Sequence, residues 1–80
     1  MITYATMLYK GDGIAVNKKE AVRYYKMAAD KGNENAMFIY AAMLYKGDGI
    51  AVNKKEAARY YKMAADKGIE GAMSSLALML

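Results

Sequence analysis

Apolar side chains recur along this chain at the spacing of an α-helix. One set of five stands at i, i+3, i+4, i+7 and i+8, on one face of a helix: Ala21, Tyr24, Tyr25, Ala28 and Ala29. The pattern predicts a helix over residues 18–30. Asn17 can cap its first turn, with Glu20 in the capping-box position, and Gly32 can end it in the left-handed conformation.

The chain repeats itself with a period of 36 residues. Aligning residues 1–36 with residues 37–72 leaves six differences, and a weaker third copy begins at Met73. Periods of about 20 to 50 residues are typical of solenoids, in which each unit buries its apolar face only against its neighbours. The sequence therefore predicts a repeat protein in which the unit, more than the whole chain, determines the fold.

Each unit is predicted to be two helices joined by a tight turn. In the second unit we expect the first helix over residues 34–46, closed by Gly47-Asp48-Gly49. The fold class is an all-α solenoid of about five helices, and residues 1–80 form a single module. The first unit, residues 1–32, is expected to be truncated at its N-terminus, and the second unit, residues 33–68, to be complete. Residues 69–80 are expected to form the first helix of a third unit, which acts as a closing helix.

Composition excludes several kinds of chemistry. The chain contains no cysteine, histidine, tryptophan or proline, which rules out a disulfide framework, a Cys/His zinc site and an imidazole acid or base. The two Gly-Asp-Gly segments lack the residues that complete a phosphate loop or a calcium loop, so we interpret them as turns. No catalytic residue, metal site or cofactor is predicted, and we do not expect an enzyme.

The small residues, aromatic residues and glycines of the second unit form a specific pattern. Its members are Ala36, Tyr40-Ala41, Leu44, Gly47, Gly49-Ile50, Ala57, Tyr60-Tyr61, Ala64-Ala65 and Gly68. The pattern resembles the Sel1-like repeat, a relative of the tetratricopeptide repeat, and the resemblance covers nearly the whole chain. It implies a right-handed superhelix of antiparallel helix pairs that acts as a scaffold or adaptor and binds another protein.

The expected location is intracellular and cytoplasmic, because the sequence shows no targeting signal and no membrane span. No apolar run approaches the roughly 20 residues of a membrane span, and the N-terminus has no signal-peptide pattern. Secreted members of the resembled family carry a cysteine pair in each repeat, and this chain has none. We therefore expect no membrane contact.

Positions that differ between the units indicate where a protein or peptide partner binds. On a helical wheel of residues 34–46, six unchanged positions fall in one arc, as stacking of identical units requires: Ala36, Met37, Tyr40, Ala41, Met43 and Leu44. The varied positions fall on the opposite side. We predict a concave binding groove lined by Ile2, Thr6, Tyr9, Lys10, Asn35, Phe38, Ala42, Tyr45 and Lys46.

Three alternatives remain open from the sequence. Phe38 and Ile39 can instead contact the next helix pair, since core packing is the commoner role of an apolar helix position. With 12 basic against eight acidic residues and a net charge of +4, a basic surface can attract nucleic acid or acidic partners. That surface consists of Lys18, Lys19, Arg23, Lys26, Lys54, Lys55, Arg59 and Lys62. A third alternative is a purely structural fragment of a longer array.

The C-terminal segment is apolar. Residues 76–80 carry no polar side chain, and Ser74 and Ser75 are expected to face outward if the segment folds over the second unit as a closing helix. An apolar face then remains at the end of the module. We expect either continuation into a longer array or self-association through the exposed helix ends.

Overall fold

Five α-helices make up the computed structural model of the protein, which describes residues 2–11, 13 and 15–79, with side chains from Tyr4 onward. In chain order they are α1 (Ile2–Lys10), α2 (Lys18–Asp30), α3 (Glu34–Lys46), α4 (Lys54–Asp66) and α5 (Glu70–Met79). Each helix packs mainly against its neighbours in sequence, and the molecule measures 37 × 22 × 17 Å. The predicted all-α solenoid is confirmed, as are the helices expected over 18–30 and 34–46.

Asparagine side chains fix where three of the helices begin. The Oδ1 atoms of Asn17, Asn33 and Asn53 each accept a hydrogen bond from a backbone N–H three residues later, at 3.1, 2.8 and 3.1 Å. These bonds satisfy a donor that a helix start leaves without an intrahelical partner. Gly32 follows the last turn of α2 with φ +98°, as predicted for a left-handed stop.

The capping box at the start of α2 forms in only one direction. The backbone N–H of Asn17 donates to the carbonyl oxygen of Leu8 at 2.7 Å, so it does not donate to the Glu20 carboxylate. Glu20 instead forms an ion pair with Arg23 on the same helix. The predicted N-cap is therefore confirmed. The capping-box role expected for the Glu20 side chain is wrong, because the carbonyl oxygen of Leu8 in the preceding helix accepts the hydrogen bond from Asn17.

Small side chains let the helices approach closely. Seven alanines have no exposed surface: Ala5, Ala21, Ala36, Ala41, Ala57, Ala64 and Ala72. The buried residues of α3 are the six unchanged positions that the helical wheel groups in one arc, whereas Tyr45 and Lys46 also do not change between units and are exposed. Tyr25, Tyr60 and Tyr61 are also buried, which confirms for these three tyrosines that they are core aromatics beneath a charged surface.

Candidate binding groove

Two cavities lie along the face formed by α1, α3 and α5, the first helices of successive units. The cavity between α1 and α3 has a volume of about 320 Å³ and is lined by Thr6, Tyr9, Lys10, Tyr25, Phe38, Ile39, Ala42, Met43, Lys46 and Asp48. The cavity between α3 and α5 has a volume of about 210 Å³ and is lined by Tyr45, Lys46, Tyr61, Ser75, Leu78 and Met79. We call them the first and second cavity.

The second cavity is a copy of the first. Each of its six lining residues stands 36 positions after a residue that lines the first cavity. Four of these pairs are identical in type, while Ile39 is replaced by Ser75 and Ala42 by Leu78. Because the fold repeats with the same period, the groove is a property of the unit and runs along the stack.

The structure brings most of the predicted groove residues together. Six line the first cavity: Thr6, Tyr9, Lys10, Phe38, Ala42 and Lys46. Tyr45 lines the second cavity, together with Lys46. Asn35 is exposed in the first turn of α3 and lines neither cavity. The side chain of Ile2 lies outside the described residues.

The helical wheel missed the residues that form the floor of the groove. Tyr25 of α2 and Tyr61 of α4 line the two cavities from below, and the hydroxyl of Tyr25 lies 2.8 Å from Thr6 Oγ1 of α1. Each is the second tyrosine of a Tyr-Tyr pair. Its position on the apolar stripe of its helix predicts that it is buried, but does not predict that it lines the groove. A wheel of one helix cannot show which residues of the neighbouring helix reach its surface.

Phe38 has a structural contact as well as a place in the groove. Its ring centroid lies 5.9 Å from that of Tyr61, and a Cβ atom added at Gly71 of α5 would lie 3.0 Å from its Cζ atom. The alternative that Phe38 contacts the next helix pair is therefore confirmed. Substitutions at this position change stability as well as the groove surface, so Phe38 is a poor choice for a binding test.

Ser75 departs from the expected outward orientation. Ser74 is exposed, but Ser75 is half-buried and lines the second cavity with Leu78 and Met79 of the same helix. The side chain of Leu80, which the sequence placed in the apolar C-terminal segment, lies outside the described residues. Leu78 is 89% exposed, so α5 leaves an apolar side chain at the edge of the groove.

A carboxylate joins the two units at one end of the groove. Asp48, in the turn after α3, accepts a hydrogen bond from the Tyr9 hydroxyl of α1 and lies 3.1 Å from Lys18 Nζ of α2. The Tyr9 hydroxyl and the Lys18 ammonium hold the pKa of Asp48 below its ordinary value. The same hydrogen bond raises the pKa of Tyr9, because both effects favour the charged carboxylate beside a neutral phenol.

A second carboxylate joins the units on the side of α2 and α4. Asp30 lies 2.8 Å from Lys26 Nζ on its own helix and accepts a hydrogen bond of 2.8 Å from the Tyr60 hydroxyl of α4. Lys26 and then Tyr60 lower the pKa of Asp30. Both bonds between units use residues of the repeated pattern, so stacking is specified by polar contacts as well as by the alanine core.

Most of the basic side chains considered for a charged surface are already paired. Five of the eight form ion pairs within the described residues: Lys18, Arg23, Lys26, Arg59 and Lys62. Arg23 and Arg59 also lie over tyrosine rings. In the part of the chain that the structure describes, no three acidic side chains come together to hold a metal ion. The paired cations weaken the nucleic-acid alternative, because pairing reduces the charge available to a phosphate backbone.

The Asp48 contact predicts an acid-sensitive stability. Because its folded pKa is lowered, its contribution is present above the ordinary aspartate pKa of 3.8 and is lost as the pH falls through the folded value. We expect the urea midpoint of the wild type to fall as the pH drops below about 4. In Asp48→Asn this acid-induced fall should be smaller than in the wild type, and the urea midpoint at neutral pH should already be lower than that of the wild type.

Two features of that experiment make it decisive. Asp66→Asn removes a carboxylate whose ion pair, among the described residues, is with Lys62 of its own helix, and it serves as a control for the loss of one negative charge. Asp30 also contributes to the wild-type fall, so Asp48→Asn reduces it without abolishing it. An identical acid-induced fall in Asp48→Asn and the wild type would contradict the assigned role of Asp48.

Nearly identical helix pairs that each pack against the next pair define an α-solenoid of helix-turn-helix repeats. A model of the Sel1 repeat matches residues 3–33 and 35–69 of the chain. The chain therefore belongs to the Sel1 repeat family, which confirms the resemblance drawn from its sequence. A comparison with curated proteins finds no match.

Solved structures of Sel1-repeat proteins are similar to this chain. Over 92% of the chain, a Sel1 repeat protein from Oxalobacter formigenes shares 30% identity with a TM-score of 0.89. The protective antigen c5321 of uropathogenic Escherichia coli, which displays an SLR fold, matches over 92% of the chain with 28% identity and a TM-score of 0.89. Cysteine rich protein B of Helicobacter pylori matches in fold, at 23% identity and a TM-score of 0.88. This chain covers 30%, 16% and 56% of those chains, respectively.

Within the residues that the structure describes, no helix combines the length and the hydropathy that a membrane span requires.

Proposed function

We propose that this chain is a protein-interaction scaffold that binds a segment of a partner protein in the groove of α1, α3 and α5. Sel1-repeat proteins are generally non-catalytic scaffolds that mediate protein interactions. The observation that carries the proposal is the repetition of the cavity at two successive positions of the groove. A segment that lies along the stack can place one side chain in each cavity.

The chemistry of the groove suits a peptide. Most of its lining is aromatic or apolar, with Tyr25, Ile39 and Met43 in the first cavity. The polar lining residues of that cavity are Thr6, Lys10, Lys46 and Asp48. Neither lysine forms an ion pair with a residue that the structure describes. Apolar pockets give a bound segment its affinity, and the few polar groups around them give it orientation. The intracellular location stays a prediction from the cysteine-free sequence.

Ala42→Arg tests the groove without removing a core side chain. Ala42 lines the first cavity and is half-buried, and the equivalent positions carry Thr6 and Leu78, so a larger side chain fits the fold at this place. Peptides selected from a random display library on the wild-type chain provide the ligand. We expect Ala42→Arg to weaken their binding at least about tenfold, or about 1.4 kcal/mol.

A matched control is Ala51→Arg, which adds the same charge at an exposed position between α3 and α4. Circular dichroism shows whether both variants keep their helices, and isothermal calorimetry gives the affinities. Equal affinity of the two variants for every selected peptide would place the binding surface elsewhere. If the library yielded no peptide that binds the folded chain, the proposed function would be contradicted.

A further inference from the structure

Two lysines at the first cavity carry a positive charge that faces the solvent. Lys10 is the last residue of α1 and Lys46 is the last residue of α3, and both line the cavity between these two helices. Both side chains are exposed, and neither forms an ion pair with a residue that the structure describes. The helices that enclose the cavity therefore each place an ammonium group beside it.

The lysine position is left without an ion pair from both directions along the stack. Lys10 faces the second unit, all of whose residues are described, and that unit supplies no carboxylate to it. Lys46 is the equivalent residue one repeat later and faces the first unit, whose described residues supply none either. Asp48 is the carboxylate nearest to Lys46 in sequence, but it is held by Tyr9 and Lys18. The open charge thus follows from contacts between units that the structure describes.

The charge around this cavity favours an anionic ligand. Among the described residues its lining contains one carboxylate, Asp48. The Tyr9 hydroxyl and the Lys18 ammonium hold the pKa of that carboxyl below its ordinary value. Because Lys18 neutralises Asp48, Lys10 and Lys46 leave a net of two positive charges at the cavity. Cations beside an apolar wall attract an anion more strongly than cations in open solvent, since the wall has a low dielectric constant.

An apolar pocket lies directly beside these charges. Tyr25, Ile39 and Met43 contribute to its lining, and its volume of about 320 Å³ is at the lower end of the range of ligand sites, about 300 to 1,000 Å³. The Tyr25 hydroxyl lies 2.8 Å from Thr6 Oγ1, so the polar atom of this floor has a partner within the protein. The pocket therefore suits an apolar side chain.

We propose that the first cavity receives an apolar side chain of the partner segment, and that Lys10 and Lys46 select a segment in which glutamates flank that side chain. The long side chain of a glutamate lets its carboxylate reach an ammonium group at the edge while its apolar neighbour enters the cavity. The inference rests on the proposed function, because it specifies which chemistry the groove selects in its partner.

A second copy of the chain is a poor occupant of this site. Each copy has a net charge of +4, so two copies repel one another at low salt. Five carboxylates of the chain already form ion pairs with its own lysines and arginines: Glu20, Asp30, Asp48, Glu56 and Asp66. The same net charge attracts an acidic segment of another protein.

The probe is a short peptide, acetyl-Glu-Phe-Glu-amide, compared with acetyl-Gln-Phe-Gln-amide and acetyl-Glu-Gly-Glu-amide. Titrations into the wild-type chain near neutral pH and at low salt are followed by nuclear magnetic resonance at the Ala42 methyl group and the Lys46 side chain. We expect the first peptide to shift both signals and to bind at least about fivefold more tightly than either comparison peptide, about 1 kcal/mol. Added salt should reduce its advantage over the glutamine peptide, because salt screens exposed charges.

Variants connect that preference to the two lysines. Lys10→Gln and Lys46→Gln should each reduce the preference for the glutamate peptide over the glutamine peptide about twofold or more, whereas Lys46→Arg should keep it because the charge remains. A lysine in the last turn also stabilises its helix, so circular dichroism checks that each variant is folded.

Lys19→Gln is the matched control for the loss of one positive charge. Lys19 is exposed on α2, lines neither cavity and forms no ion pair with a described residue. An equal reduction of the preference in Lys19→Gln would show unspecific attraction to a basic protein and would overturn the proposal.

The remaining outcomes separate this inference from the proposed function. Equal binding of the glutamate and glutamine peptides would overturn the role of the lysines, and equal binding of the phenylalanine and glycine peptides would overturn the role of the cavity. Signals that shift with protein concentration alone would identify a second copy as the occupant and would also overturn the proposal. If peptides selected from the display library bind the groove without dependence on Lys10 or Lys46, the inference fails and the scaffold function stands. If no peptide binds, both fail.

Discussion

Replacing Gly49 with alanine is expected to lower the free energy of unfolding by about 2 to 4 kcal/mol, a large share of the stability of an 80-residue chain. Gly49 has φ +81°, which a residue with a Cβ atom adopts only under strain. A Cβ atom at this place would also lie 2.9 Å from both the Cβ atom and the carbonyl oxygen of Lys18. The backbone at the start of α2 leaves no space for it.

Gly13 is the control for this prediction. It occupies the same place in the first unit, with the same flanking residues in sequence and φ +82°, but among the described residues its added Cβ atom would meet only Met7 Cε, at 3.9 Å. Gly13→Ala should therefore cost only the conformational strain, about 1 to 2 kcal/mol. Urea denaturation followed by circular dichroism measures both. Equal losses of stability in the two variants would show that the close approach of Gly49 to α2 does not add to the effect of the substitution.

This pair of glycines shows what the sequence can and cannot reveal. Both glycines were correctly interpreted as turn residues, since a Gly-Asp-Gly segment between two helical patterns is a strong turn signal. Their sequences are identical over the turn, so no local pattern distinguishes them. The difference is that Gly49 follows a preceding unit and touches it, whereas Gly13 has no preceding unit among the described residues.

The helices were predictable because their signals are local. Apolar periodicity and an asparagine at each start determined the bounds of α2 and α3 to the residue. The unchanged side of α3 proved to be its buried side, since identical units present identical surfaces to one another. The helical wheel also predicted that Thr6, Ala42 and Lys46 lie in one groove, and the structure places them around the first cavity.

The contacts between units were not predictable from local patterns. Asp48 lies 39 residues from Tyr9 and 30 from Lys18 in sequence, and it was considered only as part of a turn. Asp30 stands four residues after Lys26, a spacing that allows an ion pair on one helix, but no local pattern indicates its bond to Tyr60. Polar contacts over one repeat length become visible only when one unit is stacked on the next.

Tyr60→Ala is expected to give the largest loss of stability among the aromatic substitutions, about 3 to 5 kcal/mol. Tyr60 is 2% exposed, and its ring meets that of Tyr40 edge-on, with centroids 4.8 Å apart. Its hydroxyl donates to Asp30 of the preceding unit. Truncation removes a core ring and a bond between units together, so we expect the helical signal to disappear at a much lower urea concentration.

Two further variants divide this loss into its parts. Tyr60→Phe keeps the ring and removes only the bond to Asp30, and should cost about 1 kcal/mol. Tyr24→Ala changes the equivalent tyrosine of the first unit, which is half-buried and contacts Tyr4 at 5.1 Å, and should cost clearly less than Tyr60→Ala because less apolar surface is lost from the interior. If Tyr24→Ala were as damaging as Tyr60→Ala, the stability would depend on the folding of each unit by itself. A smaller loss in Tyr24→Ala would show that the stability depends on burial between units. The two tyrosines have nearly the same sequence context, so the difference would come from how far a neighbouring unit buries each of them.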